Sequence, residues 1–204
     1  IGIGIVVFII LTLVWVFLYV FEPAVFFSIK SMFVLCVIML TVFMFSKAVI
    51  RIPELPYLIP LTPLAPVLAA ILFSPRIGMI VAFAETLLVG TVTAFDPLYL
   101  LIGLTASLVA VYPTIGLRKR SQFLNICIFV AMVNFSVSFG YFSLLGHTLY
   151  EAFRAAVHCM FNGFVLWPCL FIGAWIFEHL FGITTDISLL ELSDLNHPLL
   201  RRLV

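Results

Sequence analysis

Residues 1–21, IGIGIVVFIILTLVWVFLYVF, run for twenty-one positions without a charge before Glu22-Pro23 stops them. A helix needs about 20 mostly apolar residues to cross the hydrocarbon core of a bilayer. This stretch meets that length, and it lacks the basic flank and the shorter apolar core of about 7–15 residues that mark a secretory signal. The first segment therefore reads as a membrane span.

The rest of the chain repeats the pattern. Of its 204 residues 65% are hydrophobic and 9% charged, and the mean hydropathy is +1.32; soluble domains average about 45–50% apolar and about 25% charged. Cutting at charges and at Pro/Gly clusters predicts seven apolar segments, at 1–21, 31–50, 57–74, 77–95, 98–117, 123–145 and 155–179. The expected fold is an all-α polytopic membrane protein with seven transmembrane helices. Glu22-Pro23, the Arg51 to Pro56 stretch, Ser74-Pro75-Arg76 and Asp96-Pro97 supply the breaks, because proline has no N–H to donate and pushes its predecessor out of helical geometry. Short turns make sequence neighbours antiparallel neighbours in space.

Basic residues set the expected orientation. With the first segment running from outside to inside, Lys30, Arg76, Arg118, Lys119, Arg120, Arg201 and Arg202 are cytoplasmic and Lys47, Arg51 and Arg154 are not, seven against three. The positive-inside rule favours that choice, with the N-terminus outside and the C-terminus cytoplasmic. The Arg118-Lys119-Arg120 turn reads first as an orientation signal and lipid-headgroup contact, and second as a docking surface for a cytoplasmic domain. The net charge of +1 argues against broad binding to nucleic acid.

In the third segment Pro60, Pro63 and Pro66 recur every three residues. Either part of this segment is unwound inside the bundle, where protein or water satisfies its backbone, or the helix starts near Pro66 and the earlier prolines form an extended lead-in.

The candidate intramembrane polar cluster comprises Glu85, Asn134, Arg154, His158 and Asn162. Glu85 lies mid-segment with no charge in its own helix, so it must face the bundle interior. Glu151, Arg154, His158 and Asn162 recur at three- or four-residue spacing, which predicts one polar stripe, with Asn162 near Glu85 in depth. Such a stripe serves either as a site for a small molecule, ion or proton or as interhelical hydrogen-bond glue. The glycines at 78, 90, 103, 140, 163 and 173 read as packing residues. Cys36, Cys127, Cys159 and Cys169 lie in apolar segments without CxxC or ligand-spaced His, and so indicate neither disulfides nor zinc. GxSxG, P-loop and HExxH motifs are absent, so no catalytic residue, bound metal or hydrolytic activity is expected in these 204 residues.

The polar tail carries a resemblance. EHLFGITTD at 178–186 and LLELSDLNHPLLRRL at 189–203 closely resemble the juxtamembrane segment of the seven-transmembrane HD-domain proteins. The seven apolar segments, the basic turn before the sixth and Asn162-Gly163 in the seventh fit the same pattern. The resemblance implies residues 1–182 as a transmembrane domain and 183–204 as a cytoplasmic linker. It also implies a bacterial inner-membrane location, an extracytoplasmic domain before the bundle, and an HD hydrolase cleaving cyclic di-AMP after it. The two metal ions of that hydrolase, iron or manganese, would lie beyond Val204, and no catalytic residue carries over.

The role that does carry over is anchor and signal coupler. Phe181, Thr184, Thr185, Asp186, Glu191, Asp194, Asn196, His197 and Pro198 form the candidate signal-coupling linker. The expected partners are the lipid bilayer and the flanking domains of the same polypeptide; the sequence leaves a homodimer open. The alternatives are a small-molecule carrier or substrate-binding membrane subunit, with Glu85 and the proline segment as its site, and a purely structural anchor.

Overall fold

The structure, a computed structural model, describes residues 2–50, 61–117 and 120–181. Among these residues eight α-helices follow one another: α1 Gly2–Phe21, α2 Pro23–Phe26, α3 Ile29–Ile50, α4 Leu64–Leu72, α5 Pro75–Val92, α6 Pro97–Val111, α7 Phe123–Leu144 and α8 Leu149–Phe181. Six of them (α1, α3, α5, α6 with its short 3-10 extension, α7 and α8) are long and apolar enough to cross a membrane. The chain is an all-α polytopic membrane protein.

Local chemistry sets the helix ends. Ser74 caps α5, its Oγ accepting from the Ile77 N–H at 3.3 Å and donating to Glu22 Oε1 at 3.2 Å, which ties the α1–α2 junction to the α4–α5 turn. Asp96 caps α6 by accepting from the Leu98 N–H at 2.8 Å, and proline occupies the first position of both helices, where its missing N–H is no loss. Thr148 and Glu151 form a capping box: the Glu151 N–H donates to Thr148 Oγ1 at 3.4 Å and the Thr148 N–H donates to Glu151 Oε2 at 3.1 Å. That box starts α8 at Leu149, six residues before the sequence-predicted 155, and gives it 33 residues. At 1.5 Å per residue α8 is about 50 Å long, against a hydrocarbon core of about 30 Å. It therefore projects beyond the bilayer or crosses it at a tilt.

The third segment differs most from a full-length span. Among its described residues nine, Leu64–Leu72, are helical, preceded by a turn through Thr62 and Pro63. Pro63 is the N-cap and Pro66 sits in the first turn, so the helix begins where proline is tolerated. Pro60 lies outside the described residues. α4 is about 14 Å long by the same rise, less than half the hydrocarbon thickness. Seven of its nine residues are buried, and it packs against α3, α5, α6 and α8. By contrast α1 lies at the edge, with its main long-range packing on α5.

The bundle is apolar outside, and a few polar residues lie within its largely apolar core. Phe8, Leu40, Met132, Phe161 and Trp175 are exposed, whereas Ser46, Glu85, Ser107, Asn134, Ser138 and Asn162 are buried. So dense a cover of large apolar side chains is what lipid tails solvate and water does not.

Helices without a hydrophobic force between them associate by close packing at small residues. A Cβ on Gly78 would lie 2.7 Å from Ala70 Cβ and 2.8 Å from the Pro66 carbonyl oxygen. One on Gly163 would lie 2.6 Å from the Ala131 nitrogen, whereas one on Gly140 would meet nothing within 4 Å. Gly78→Val and Gly163→Val should each cost at least about 1–3 kcal/mol, the usual penalty of overpacking. Gly140→Ala should be neutral or stabilising by up to about 1 kcal/mol. Thermal unfolding of the three variants in nanodiscs checks the order, and equal losses at all three positions would contradict it.

Candidate functional site

Contacts around glycines fix the register of the inner helices. Along the antiparallel α5–α6 pair, Cβ atoms built on Gly78, Gly90 and Gly103 would lie 3.2 Å from Val111 Cγ2, 2.9 Å from Leu100 Cδ2 and 3.2 Å from Thr86 Cγ2. Thr62 joins the same point: its Oγ1 lies 3.4 Å, and Thr86 Oγ1 3.6 Å, from where a Gly103 Cβ would sit. The start of α4, the middle of α5 and the middle of α6 therefore meet at one level, and only glycine at 103 allows two threonines to crowd there.

Glu85 belongs to this level. It precedes Thr86, and it lies seven residues, two helical turns, beyond Gly78, whose face abuts α4. Its stripe on α5 therefore points along the line of α4, at and just past that helix's N-terminus. Glu85 is 0% exposed, and neither carboxylate oxygen has a hydrogen-bond partner among the described residues.

A second polar group lies between α7 and α8. Asn134 Nδ2 donates to the Cys159 carbonyl at 3.4 Å, and Ser138 and Asn162 are buried with it on the inner faces of these helices. Gly163, next to Asn162, allows the backbone contact with Ala131. Ile102 of α6 packs on Cys159, so α6 stands between the two groups.

Arg154 and His158 are placed elsewhere. Both are exposed on α8, His158 Nδ1 lying 2.6 Å from the Arg154 carbonyl. The predicted stripe of Glu151, Arg154, His158 and Asn162 divides because the buried face of α8 follows Ala152, Ala155, Ala156, Cys159 and Gly163. Asn162 lies at the edge of that buried face, and the other three lie on the exposed side. Spacing alone could not fix which flank of a polar stripe turns inward. Thr62, Thr86 and Ser107 are the inner-group residues that sequence reasoning missed, while Gly103 was read as a packing residue without its threonine neighbours; the small residues of α6 at 103, 106, 107 and 110 were the available signal.

Of the linker residues only Phe181 is described. Its ring centroid lies 6.1 Å from that of Phe33 at the start of α3 and 5.9 Å from that of Phe177. Thr184, Thr185, Asp186, Glu191, Asp194, Asn196, His197 and Pro198 lie outside the described residues. No group of three or more His, Cys, Asp or Glu side chains able to hold a metal occurs among the described residues.

An apolar-faced helical bundle with a short buried helix and two internal polar groups defines a multi-pass membrane protein. More particularly, the chain belongs to the family described as 7TM receptor with intracellular HD hydrolase, whose model matches residues 1–185. No curated protein and no solved structure matches the chain.

The Asn134 bond joins two helices directly. Asn134→Leu should destabilise the bundle by about 0.6–2 kcal/mol, the range of interhelical hydrogen bonds in membranes. Exposed Arg154→Ala should stay within about 0.5 kcal/mol of wild type. Unfolding by chemical denaturant in mixed micelles measures both, and a larger loss at Arg154 would place that side chain in the bundle's energetics.

Proposed function

We propose that this chain is the membrane sensor and transducer of a bacterial cyclic-di-AMP phosphodiesterase, coupling an extracytoplasmic domain to a cytoplasmic HD hydrolase. Its N-terminus then faces outside, it lies in the inner membrane, and the two metal ions and the hydrolytic chemistry belong to the hydrolase domain. Membership of a receptor family that pairs such a bundle with an intracellular HD hydrolase supports this reading.

The observation that carries it is the continuity of α8. This helix runs for 33 residues to Phe181 with Pro168 in its interior, and Phe181 is the first residue of the candidate signal-coupling set. Along its length it packs on α7 and α4, with Leu68 of α4 3.3 Å from where a Gly173 Cβ would sit. Near its end it stands beside α3 across an apolar groove of about 390 Å³ lined by Val37, Thr41, Leu68, Gly173, Ile176 and Phe177, among others. The helix is held by its inner neighbours and given room on the α3 side, and Pro168 in its interior removes one backbone hydrogen bond, so that the part beyond it has a point about which to swing. Displacement of α8 is passed to whatever follows Phe181. Coupling of this kind requires a bistable element that an outside ligand biases.

Insertion of flexible Gly/Ser residues between Gly182 and Leu189 in the full-length protein tests the lever. The expected result is cyclic-di-AMP hydrolysis that persists but no longer responds to the extracytoplasmic domain. Retained ligand-responsive hydrolysis would overturn the coupling.

One feature favours a second reading, a small-molecule carrier: α4 is a short buried helix whose first turn lies at the level of Glu85, as in transporters whose sites lie at broken helices. Reconstituted uptake that disappears in Glu85→Gln would select it over the transducer.

A further inference from the structure

We propose that Glu85 is a proton-binding site whose ionised carboxylate caps the N-terminus of α4, so that the transmembrane domain itself responds to protons. The inference deepens the transducer reading and rests on it for the meaning of the signal.

α4 runs from its buried N-terminus to the Phe73–Ser74 turn at one end of α5. Being about 14 Å long, it places that N-terminus near the middle of the bilayer. Helix N-termini carry a partial charge of about +0.5 and unpaired N–H groups. Here the Leu64 N–H donates to the Leu61 carbonyl at 3.0 Å, the Val67 N–H donates to the Pro63 carbonyl at 3.2 Å, and Pro66 has no N–H. Ala65 thus holds the free donor of the first turn among the described residues. Pro63 at the N-cap provides no side-chain hydrogen bond.

The complementary group is Glu85, fully buried on the α5 stripe that faces α4, with both oxygens unpartnered. An unpartnered negative charge at this depth is costly, and the partial positive charge at the N-terminus of α4 offsets part of that cost. Protonation removes the charge altogether. The two forms make different demands on α4: the carboxylate draws the free N–H and the Thr62 turn toward itself, and the neutral acid releases them. α4 transmits the difference, because its Leu68 seats against Gly173 of α8.

No other charge competes at this level among the described residues. Of the helices packed against α5, α1 and α4 have no charged residue, and α6 has none beyond Asp96 at its N-cap. α3 carries Lys30 and Lys47 near its two ends, and α5 itself has Arg76 in its first turn. The uncharged titratable side chains on these helices are Tyr19 and Cys36, both exposed, and Tyr99, which packs toward Cys159. Arg51, Glu54 and Tyr57 lie outside the described residues.

Infrared difference spectroscopy on the chain in nanodiscs, titrated with pH, reads the acid directly. The expected result is a buried carboxylic C=O band that vanishes as pH rises, with the Ala65 amide resonance moving at the same midpoint, and both responses lost in Glu85→Gln. Should that variant not fold, Glu85→Asp must shift the band while keeping the paired amide response. A wild-type protein without a pH-dependent acid band overturns the site, as does an Ala65 resonance that ignores the titration. The hydrolase takes no part in this measurement, so a failed proton site and a failed linker relay are separable outcomes.

Discussion

Backbone polar groups that lipid cannot solvate govern this architecture. A nine-residue helix that stops in mid-bilayer exposes its first N–H groups where no water waits, at several kcal/mol for each group left unsatisfied. Such an element survives only if other helices enclose it. α4 is enclosed by α3, α5, α6 and α8, and the close approaches at Gly78, Gly103 and Gly173 all arise around α4 or the turn that leads into it. The longer helices form a jacket around a segment that could not stand in lipid alone.

The polar interior follows from the same enclosure. Glu85, Thr62 and Thr86 gather where α4 begins, and Asn134 with Asn162 gathers where α7 meets α8. The first group sits against an uncapped helix end and has electrostatic consequences. The second sits between two complete helices and contributes hydrogen-bonded packing of about 1 kcal/mol per bond. Their separation by α6 gives the two groups different work, one tied to the start of α4 and the other to the body of α8. α8 touches the elements of both, through Leu68 on Gly173 and through Ala131 on Gly163.

Much of the fold was legible because membrane helices announce themselves by length and apolarity. The first and sixth segments end within two residues of their predicted limits and the second starts two residues before its predicted 31, since Glu22-Pro23 and the polar turns mark exits from lipid. The seventh starts six residues earlier than apolarity suggested, because the polar Thr148–Glu151 capping box begins the helix before its apolar run. Glu85 was legible as interior on cost alone. Arg154 and His158 were not separable from Asn162 by spacing, because a stripe at three- and four-residue intervals drifts around the helix and its two flanks can face different surroundings.

The sequence by itself determined that this protein lives in a membrane, where six of its long apolar helices lie, and that one carboxylate must be hidden, since each follows from the cost of placing polar groups in lipid. Tertiary structure alone decided that the proline-spaced third segment is a short buried helix at the centre of the bundle. It alone brought Thr62, Thr86 and Gly103 to one point and turned Arg154 outward. Those outcomes depend on which helices approach closely enough to touch, a property of the packed bundle that no single segment carries.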